Sequence, residues 1–353
     1  MKPSDERVAV SPGARELFER IDWSRTPLGP VRQWSQRLQT MVEIVLANRF
    51  PMIVLWGPDQ LQAVYNDAYA GLIGSRHPRA MGATNEAIWP EVRHVNGPIY
   101  DAVMREGREF YFEDALYPLD RNSWREEVYL TISYAPILDD DGRIGGILAT
   151  MVEATRNVLA ERRLRSLREL ASRTARVRSV AEIGAFAVDV LAENRGDILF
   201  VLIFCHAPAD GHPAGAGFAS PTLLGYAGLD EADAHDLAAI GLAVTGDGGS
   251  ALIELGLRSS GEPYAGGAFG QPVRDAYVAA LPQVSGSGAR CFMVVGLSPA
   301  LPRDARYRGY LELIGAQLAA AFENANVYNR EHRIADTLQR AAQIGRASCR
   351  ERV

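Results

Sequence analysis

The first pattern in the chain is a pair of short apolar runs followed by polar capping residues. Residues 51–56 (PMIVLW) are apolar and rich in β-branched side chains, and they end at Gly57-Pro58-Asp59. Residues 61–65 (LQAVY) are the second predicted strand. The two strands are joined by a tight turn. Asn66 and Asp67 follow where a helix needs an N-cap. The sequence therefore predicts a hairpin that leads directly into a capped helix.

Three more strands are predicted before residue 155. Residues 97–106 have helical spacing of apolar positions and precede Gly107, which suits a helix end. Apolar and polar side chains alternate in 127–137, so Val128, Leu130, Ile132 and Tyr134 lie on one face. Together with the runs at 110–116 and 144–152, this order predicts a five-stranded antiparallel sheet with helices on one face, an α+β fold.

The second half of the chain repeats this composition of helices and strands. An amphipathic helix is predicted at 180–191 and a long one at 307–328, and 245–288 is too rich in Gly and Ser for strands to be assigned. Buried strands are predicted at 198–204, 223–229 and 290–297. We therefore expect a second α+β domain.

Several phrases resemble PAS sensor domains of bacterial signalling proteins. They are PM-x-x-x-WG from Pro51, YNDAY from Tyr65, and Gly74-Ser75-Arg76-His77-Pro78. The W-S-x-T-P-L-G-P phrase at Trp23 resembles the leader of the same proteins. Glu153-Ala154-Thr155 resembles the acid-x-Thr ending of PAS domains, which implies that Glu153 and Thr155 relay a signal to the exit helix. Thr155 as a simple N-cap is the alternative.

The second domain resembles a GAF domain. The resemblance rests on the G-L-S-P phrase ending at Pro299, on the phrase that begins at Tyr307, and on the helix at 317–325. Residues 326–340 are predicted to form a linker helix, and the phrase R-E-H-R-I-A-D-T-L-Q-R from Arg330 resembles the helix that precedes SpoIIE-like PP2C phosphatase domains. The PAS and GAF segments also resemble those of sensor histidine kinases. His332 lacks the kinase phrase H-E-x-R-T-P. The output implied is a phosphatase or a kinase, with no catalytic domain within these residues.

The last ten residues, IGRASCRERV, match the translation of a common sequencing-library adapter. We expect the natural chain to differ beyond Ala342 and to continue into an output domain, so the sequence predicts no fold for these last residues. The predicted domains are a leader and cap helix (1–48), a PAS domain (49–155), a helical linker (156–178), a GAF domain (179–326), an output linker helix (327–342) and the adapter-derived tail (344–353).

Composition narrows the functional classes. The net charge of the 353 residues is −6 and no basic run has interleaved aromatic residues, so no nucleic-acid surface is expected. No apolar run is long enough for a bilayer and no signal peptide is evident, so we expect a cytoplasmic protein without a membrane partner. Cys205, Cys291 and Cys349 are far apart in sequence, and neither a disulfide nor a clustered metal site is expected.

Candidate ligand contacts come from the strands of the PAS domain. Trp56, Tyr65, Tyr129 and Tyr134 are aromatic residues that would border a pocket for a small molecule, or else fill it. The ligand or cofactor is unknown.

The sequence does not favour binding of a flavin, a bilin, a haem or a metal cation. Flavin-thioether chemistry is excluded in the PAS domain, which has no cysteine. Cys205-His206 lacks the flanking phrases of bilin sites, and a lone His77 or His94 does not favour haem. Asp139-Asp140-Asp141-Gly142 reads as a β-turn rather than a cation loop.

The linker between the domains carries a short heptad seam. One column is Asn157, Leu164 and Ala171, and the other is Ala160, Leu167 and Thr174. The seam predicts a homodimer through the linker helices, and the alternative is one helix lying on the second domain. The overall prediction is a sensory module that relays ligand or partner binding to an output domain. The alternative function is a dimerisation module with solid cores and no sensing role.

Overall fold

The computed structural model describes residues 12–57, 60–122, 124–206, 221–245, 248–258, 260–264, 266, 269–281 and 290–350, without the side chains of residues 333 and 336–350. Residue contacts divide the chain into two compact units, residues 1–159 and 160–353. Among the described residues, no helix combines the length and the apolar character needed to cross a membrane.

The first unit is built on a five-stranded antiparallel sheet with the order β2-β1-β5-β4-β3. Every residue of β1, at the second position, is buried, as its unbroken apolar run predicts. The strands are β1 (Met52–Trp56), β2 (Gln62–Tyr65), β3 (Phe110–Leu119), β4 (Glu126–Leu138) and β5 (Ile144–Glu153). The helices are α1 (Ala14–Arg20), α2 (Gln36–Ala47), α3 (Asp67–Ile73), α4 (Asn85–Ile88) and α5 (Arg93–Glu106).

Local signals set the helix ends. The Asn66 side chain accepts a hydrogen bond from the Tyr69 amide at 2.9 Å, which satisfies a first-turn donor of α3. Gly107 ends α5 with φ of 70°, in the left-handed region that glycine adopts without strain. Both ends agree with the sequence signals.

The leader packs on the core of the first unit through aromatic residues. Trp23 and Trp34 are both buried and lie edge to face, with ring centroids 5.2 Å apart. Their indole N–H groups donate to the carbonyls of Phe18 and Gly29, both at 2.9 Å. The proline-stiffened turn between the two tryptophans is therefore held by both apolar contact and hydrogen bonds.

The second unit contains another five-stranded antiparallel sheet, with the order β7-β6-β10-β9-β8. Numbered within its own unit, each sheet has the order 2-1-5-4-3. This confirms the prediction of two tandem α+β domains. Its strands are β6 (Ile198–His206), β7 (Thr222–Ala227), β8 (Ser250–Glu254), β9 (Asp275–Leu281) and β10 (Arg290–Leu297). Its helices are α7 (Val180–Glu193), α8 (Glu231–Thr245) and α9 (Ala305–Arg350), and α6 (Thr155–Thr174) precedes them.

The expectation that the chain would form no disulfide is wrong. Cys205 and Cys291 form one, although 86 residues separate them. They lie directly opposite each other in the register of β6 and β10. Strand register brings distant residues together in a way that spacing along the chain does not reveal.

The buried stripe of α6 differs from the predicted heptad seam. Arg163, Ser166, Leu170 and Thr174 are buried, whereas Leu164 is 45% exposed. The spacing of three and four residues places the buried positions on one helix face. That face packs within the second unit, as the alternative prediction has it, and much of the predicted seam stays exposed in the single chain.

Candidate functional site

The first unit contains a cavity between the helices and the inner face of the sheet. Its free volume is about 30 Å³. A buried water needs roughly 10–15 Å³ of free volume, so the cavity has room for about two waters. Its polar lining residues are Tyr69, Asn85, Trp89, Asn96, Tyr100, Tyr117 and Tyr134, and the rest are aliphatic.

The tyrosine hydroxyls of the cavity are held as neutral hydrogen-bonding groups. Burial raises the pKa of Tyr69 to about 12, although a hydrogen bond from Trp89 opposes the shift. Burial also raises the pKa of Tyr100, Tyr117 and Tyr134. Burial raises these values because a phenolate loses its hydration in an apolar site. Each hydroxyl therefore keeps its proton and can both donate and accept.

Two direct contacts order the polar wall. The Trp89 indole N–H donates to the Tyr69 hydroxyl at 2.9 Å, which leaves the Tyr69 proton available for another acceptor. The Tyr134 hydroxyl lies 3.5 Å from Asn96 Oδ1, and its ring packs edge to face against Tyr100. None of the described lining residues is charged.

The structure places one of the four predicted aromatic residues, Tyr134, in the lining of this cavity. Tyr129 lies on the other face of β4, because successive strand side chains alternate, and its hydroxyl donates to Glu127 at 2.9 Å. The Trp56 ring packs over Gly145 and Gly146 of β5. The fourth, Tyr65, is fully buried, and its hydroxyl is hydrogen-bonded to His77, which does not line the cavity.

Sequence reasoning missed most of the polar lining. Asn96 and Tyr100 are four residues apart on α5, and Val103 continues the same helix face. Tyr69 and Leu72 share a face of α3 in the same way. The sequence held a signal for these lining residues. Tyrosine and asparagine side chains that share a helix face with apolar residues point towards the core.

A chain of hydrogen bonds joins the cavity wall to the start of α6. The Arg121 guanidinium donates to the carbonyl of Leu72, a lining residue, at 3.2 Å. The same guanidinium donates two hydrogen bonds, of 2.7 and 3.0 Å, to the Glu153 carboxylate. Glu153 in turn accepts from the Thr155 hydroxyl at 3.0 Å.

Thr155 also holds the neighbouring strand. Its hydroxyl oxygen accepts from the Tyr129 amide at 3.0 Å, and the Ala154 amide donates to the Tyr129 carbonyl at 2.9 Å. The hydroxyl thus bridges β4 and the Glu153 carboxylate, and both of these contacts tie the start of α6 to the sheet.

The electrostatics of this chain favour ionised Glu153. Burial acts to raise the Glu153 pKa, but the hydrogen bonds and charge of Arg121 outweigh it and lower the pKa below its ordinary 4.5. A second carboxylate, Glu126, accepts from Arg121 Nε at 2.9 Å. Arg121 is therefore the shared cation of two carboxylates, a charge-assisted arrangement stronger than neutral hydrogen bonds.

Two of the three possible cofactor ligands, His77 and Cys205, form other bonds in the structure, and the third, His94, is exposed. His77 Nε2 donates to the Pro12 carbonyl at 2.8 Å, so in the neutral ring Nδ1 accepts from the Tyr65 hydroxyl at 3.0 Å. His94 is exposed on α5. The Cys205 sulfur, considered for a bilin, is bonded to Cys291.

The triple-aspartate segment forms a turn and a helix cap. The Gly142 amide donates to the Asp139 carbonyl at 2.9 Å, which closes the predicted turn. The Asp140 carboxylate accepts from the Gln36 and Arg37 amides at 2.9 and 3.2 Å, at the N-terminus of α2. Within the part of the chain that is described, no group of three His, Cys, Asp or Glu residues could hold a metal ion.

The second unit has its own charged cluster, inside the domain. Asp197 is completely buried and accepts from Arg162 Nε at 2.8 Å and Arg163 Nε at 2.6 Å, both from α6. The Arg163 guanidinium lies 4.7 Å from the ring centre of Tyr307 on α9. The Tyr310 hydroxyl, also on α9, donates to Ser166 at 3.0 Å. These contacts join α6 to α9.

Comparison with known proteins identifies the first domain. Residues 49–159 match the family model of the PAS fold. This range contains the five strands, the cavity and the Arg121–Glu153–Thr155 chain, so these features belong to a PAS-fold domain. No curated protein matches the chain.

Three solved structures show weaker likenesses. The GAF domain of an Acinetobacter phosphoenolpyruvate-protein phosphotransferase is 14% identical, with 46% of this chain and 94% of that chain covered and a TM-score of 0.31. Free methionine-R-sulfoxide reductase of Neisseria meningitidis is 15% identical (46% and 89% covered, TM-score 0.30). The VqmA dimer of Vibrio cholerae is 18% identical (33% and 50% covered, TM-score 0.26). At these values the likenesses do not indicate a function.

Proposed function

We propose that the chain is the sensory part of a signal-transduction protein. Its PAS domain binds a small uncharged molecule, and a GAF domain follows. The bound state is relayed through Arg121, Glu153 and Thr155 to α6, and from there towards a C-terminal output domain. The sequence of 326–340 favours a SpoIIE-like phosphatase, with a histidine kinase as the other output.

One observation carries the sensory proposal: hydrogen bonds run without a break from the backbone of a cavity-lining residue, Leu72, to the start of α6. Leu72 contributes its side chain to the cavity wall and its carbonyl to Arg121. A ligand that displaces α3 changes that bond, and the Arg121–Glu153 pair transmits the change to Thr155. A ligand shifts such an equilibrium only by its difference in affinity between the two states.

The chemistry of the lining selects the ligand class. Burying an ionised group without a partner costs several kcal/mol, and the described lining offers no opposite charge. The protonated tyrosines and the two asparagines offer donors and acceptors to a neutral polar molecule. A small amide or alcohol fits this set better than a carboxylate or an amine.

Tryptophan fluorescence tests ligand binding to the first domain in the intact chain. All five tryptophans lie at or before residue 124, so their emission reports only the first domain, and Trp89 lines the cavity. We would titrate acetamide, acetate and ethylammonium, then larger members of each series. Only the amides should change the emission and raise the thermal midpoint of the first domain.

A filled cavity provides the matched control. Ala149 lines the cavity on β5, and Ala149→Leu places three more carbons in it. The variant should lose the amide response and keep its fold. If no neutral compound binds, or if Ala149→Leu responds like the parent, the cavity is not a ligand site.

The GAF assignment of the second domain rests on its topology and its sequence phrases. Its sheet has the same order as the PAS sheet, 2-1-5-4-3, with α7 packed on β6 and β7 and α9 on β9. The G-L-S-P phrase falls at the end of β10 and the Tyr307 phrase in the first turns of α9. Both phrases therefore occupy the elements that the resemblance implies.

Assembly without sensing is the second candidate, and the surface of α9 favours self-association. Leu313, Ala320, Val327 and Ile334 are exposed at intervals of seven residues. A seven-residue apolar column is typical of a helix that pairs with a second copy of itself. The exposed seam residue Leu164 of α6 adds apolar surface.

Sedimentation equilibrium separates these roles. Val327→Glu should shift the protein towards monomer, whereas Leu257→Glu, at a site that is 67% exposed outside the helices, should not. A dimer that binds no neutral ligand would favour assembly alone. A chain that remains monomeric at high concentration would contradict the dimer.

A further inference from the structure

The disulfide joins two neighbouring interior strands of the second sheet, β6 and the central strand β10, at one end. Cys205 is the penultimate residue of β6, and Cys291 is the second residue of β10. The neighbouring pair, Phe204 and Phe292, points to the other face of the sheet, because strand side chains alternate. The next pair on the cysteine face is Ile203 and Met293, and both are fully buried. The sulfurs therefore lie where an apolar core meets the strand ends.

The two cysteine residues differ in exposure. Cys291 is 4% exposed, whereas Cys205 is partly exposed. Thiol–disulfide exchange requires an incoming sulfur to reach one sulfur of the bond directly, so access decides which cysteine reacts. On the face that carries the cysteines, the buried pair of Ile203 and Met293 closes the inner approach, and the reagent reaches Cys205 first.

The strand ends beyond the cysteines carry a cation. Arg290 precedes Cys291 and lies opposite His206 in the strand register. Burial and the Arg290 charge lower the pKa of His206. The thiolate is the reactive form of either cysteine.

Opening the bond does not require the sheet to open. Cys205 is also paired with Thr222 of β7, and Cys291 with Leu281 of β9. Six further register pairs join β6 and β10 on the inner side of the cysteines, and Arg290 pairs with His206 on the outer side. The backbone therefore keeps the two thiols opposite each other after reduction, ready to form the bond again.

We propose that Cys205 is a thiol–disulfide exchange site for small-molecule disulfides of the glutathione type, with Cys291 as the resolving cysteine. The Cys205 thiolate attacks one sulfur of the small disulfide, forms a mixed disulfide and releases one thiolate. The Cys291 thiolate then attacks the Cys205 sulfur and expels the second thiolate. The cysteines lose two electrons and two protons, and the small disulfide becomes two thiols; two thiols reverse the sequence.

The test uses the full chain with Cys349→Ser, so that Cys205 and Cys291 are its remaining cysteines. The protein is equilibrated in buffers of varied reduced and oxidised glutathione, quenched with acid, alkylated and weighed by mass spectrometry. Species with two thiols and with none should interconvert reversibly across the series. A pair that stays oxidised, or stays reduced, throughout the series would overturn the proposal.

Single variants test the order of attack. With Cys291→Ser, Cys205 should accumulate a glutathione mixed disulfide, and with Cys205→Ser, Cys291 should react about tenfold more slowly. In urea both variants should react at equal rates, which shows that the fold causes the difference.

If a serine variant fails to fold, the corresponding Cys→Ala variant replaces it. Equal native rates, or a faster Cys291, would refute the assigned roles. The test is independent of the PAS cavity, because all three cysteines lie beyond residue 204.

Discussion

Arg121 and Glu153 form a two-bond ion pair at the edge of the PAS domain, with Nη1–Oε2 and Nη2–Oε1 distances of 2.7 and 3.0 Å. The arginine side chain is only 14% exposed. Because Arg121 also binds the Leu72 carbonyl, this pair is the point where the cavity wall and the exit of the sheet meet.

Removing the arginine should destabilise the first domain. Arg121→Ala leaves Glu126 and Glu153 without their shared cation, so we expect a loss of about 2–3 kcal/mol in the free energy of unfolding. Urea denaturation followed by tryptophan emission measures it. Arg105→Ala removes an exposed pair with Asp101 at 3.8 Å and should cost less than about 0.5 kcal/mol. Equal losses would show that the Arg121 network contributes no more than a surface pair.

The same pair predicts a pH dependence. The folded-state pKa of Glu153 is lowered, so its stabilising effect is present above the unfolded-state pKa and is lost as the pH falls through the folded value. The stability difference between the parent and Glu153→Gln should therefore be constant at neutral pH and shrink below about pH 4.5. Urea titrations at several pH values measure it, and a difference that persists unchanged at pH 3 would contradict the assignment.

Thr155→Ala should loosen the start of α6 while leaving the PAS core folded. The variant removes the acceptor of the Tyr129 amide and one donor to Glu153, at a cost of about 1 kcal/mol. Hydrogen exchange should become faster at residues 155–159, with little change in the tryptophan transition. Thr155→Ser retains the hydroxyl and should behave like the parent; if it behaves like alanine, the methyl group rather than the hydrogen bonds matters. In the full-length protein, Thr155→Ala should change the signal response.

Asp197→Asn should destabilise the second domain selectively. The change leaves Arg162 and Arg163 facing a buried neutral group, and breaking a buried ion pair typically costs about 3–5 kcal/mol. Circular dichroism should show a lower second-domain midpoint, while tryptophan emission should be unchanged. Glu169→Gln, which removes an exposed partner of Arg173, is the matched control. Equal effects of the two variants would contradict a structural role for the buried cluster.

Reducing the disulfide should also act on the second domain alone. The bond closes a large loop, since 86 residues separate its cysteines, and its loss should lower the free energy of unfolding by about 2–4 kcal/mol. Chemical denaturation with and without a reductant, in the Cys349→Ser background, measures it. The double variant Cys205→Ser/Cys291→Ser should be insensitive to reductant. A shift in its transition would assign the effect to the reagent.

Most of the helices and strands could be predicted from signals in nearby residues. The apolar run of β1, the alternation in β4, the Asn66 cap and Gly107 each depend on neighbours a few residues away, so the chain predicts them directly. Strands β8 and β9 were not predicted, because their segment is rich in Gly and Ser and their pairing partners are distant in sequence.

By itself, the sequence determined two tandem α+β domains, the PAS resemblance and the positions of Glu153 and Thr155. Only the tertiary structure decided which tyrosines face the cavity, that Arg121 joins Leu72 to Glu153, that Asp197 is shared by two arginines, and that Cys205 meets Cys291. The physical reason is that periodicity places a side chain on a face of its own element. Strand register and helix packing decide which distant face it meets, and local spacing carries little information about either.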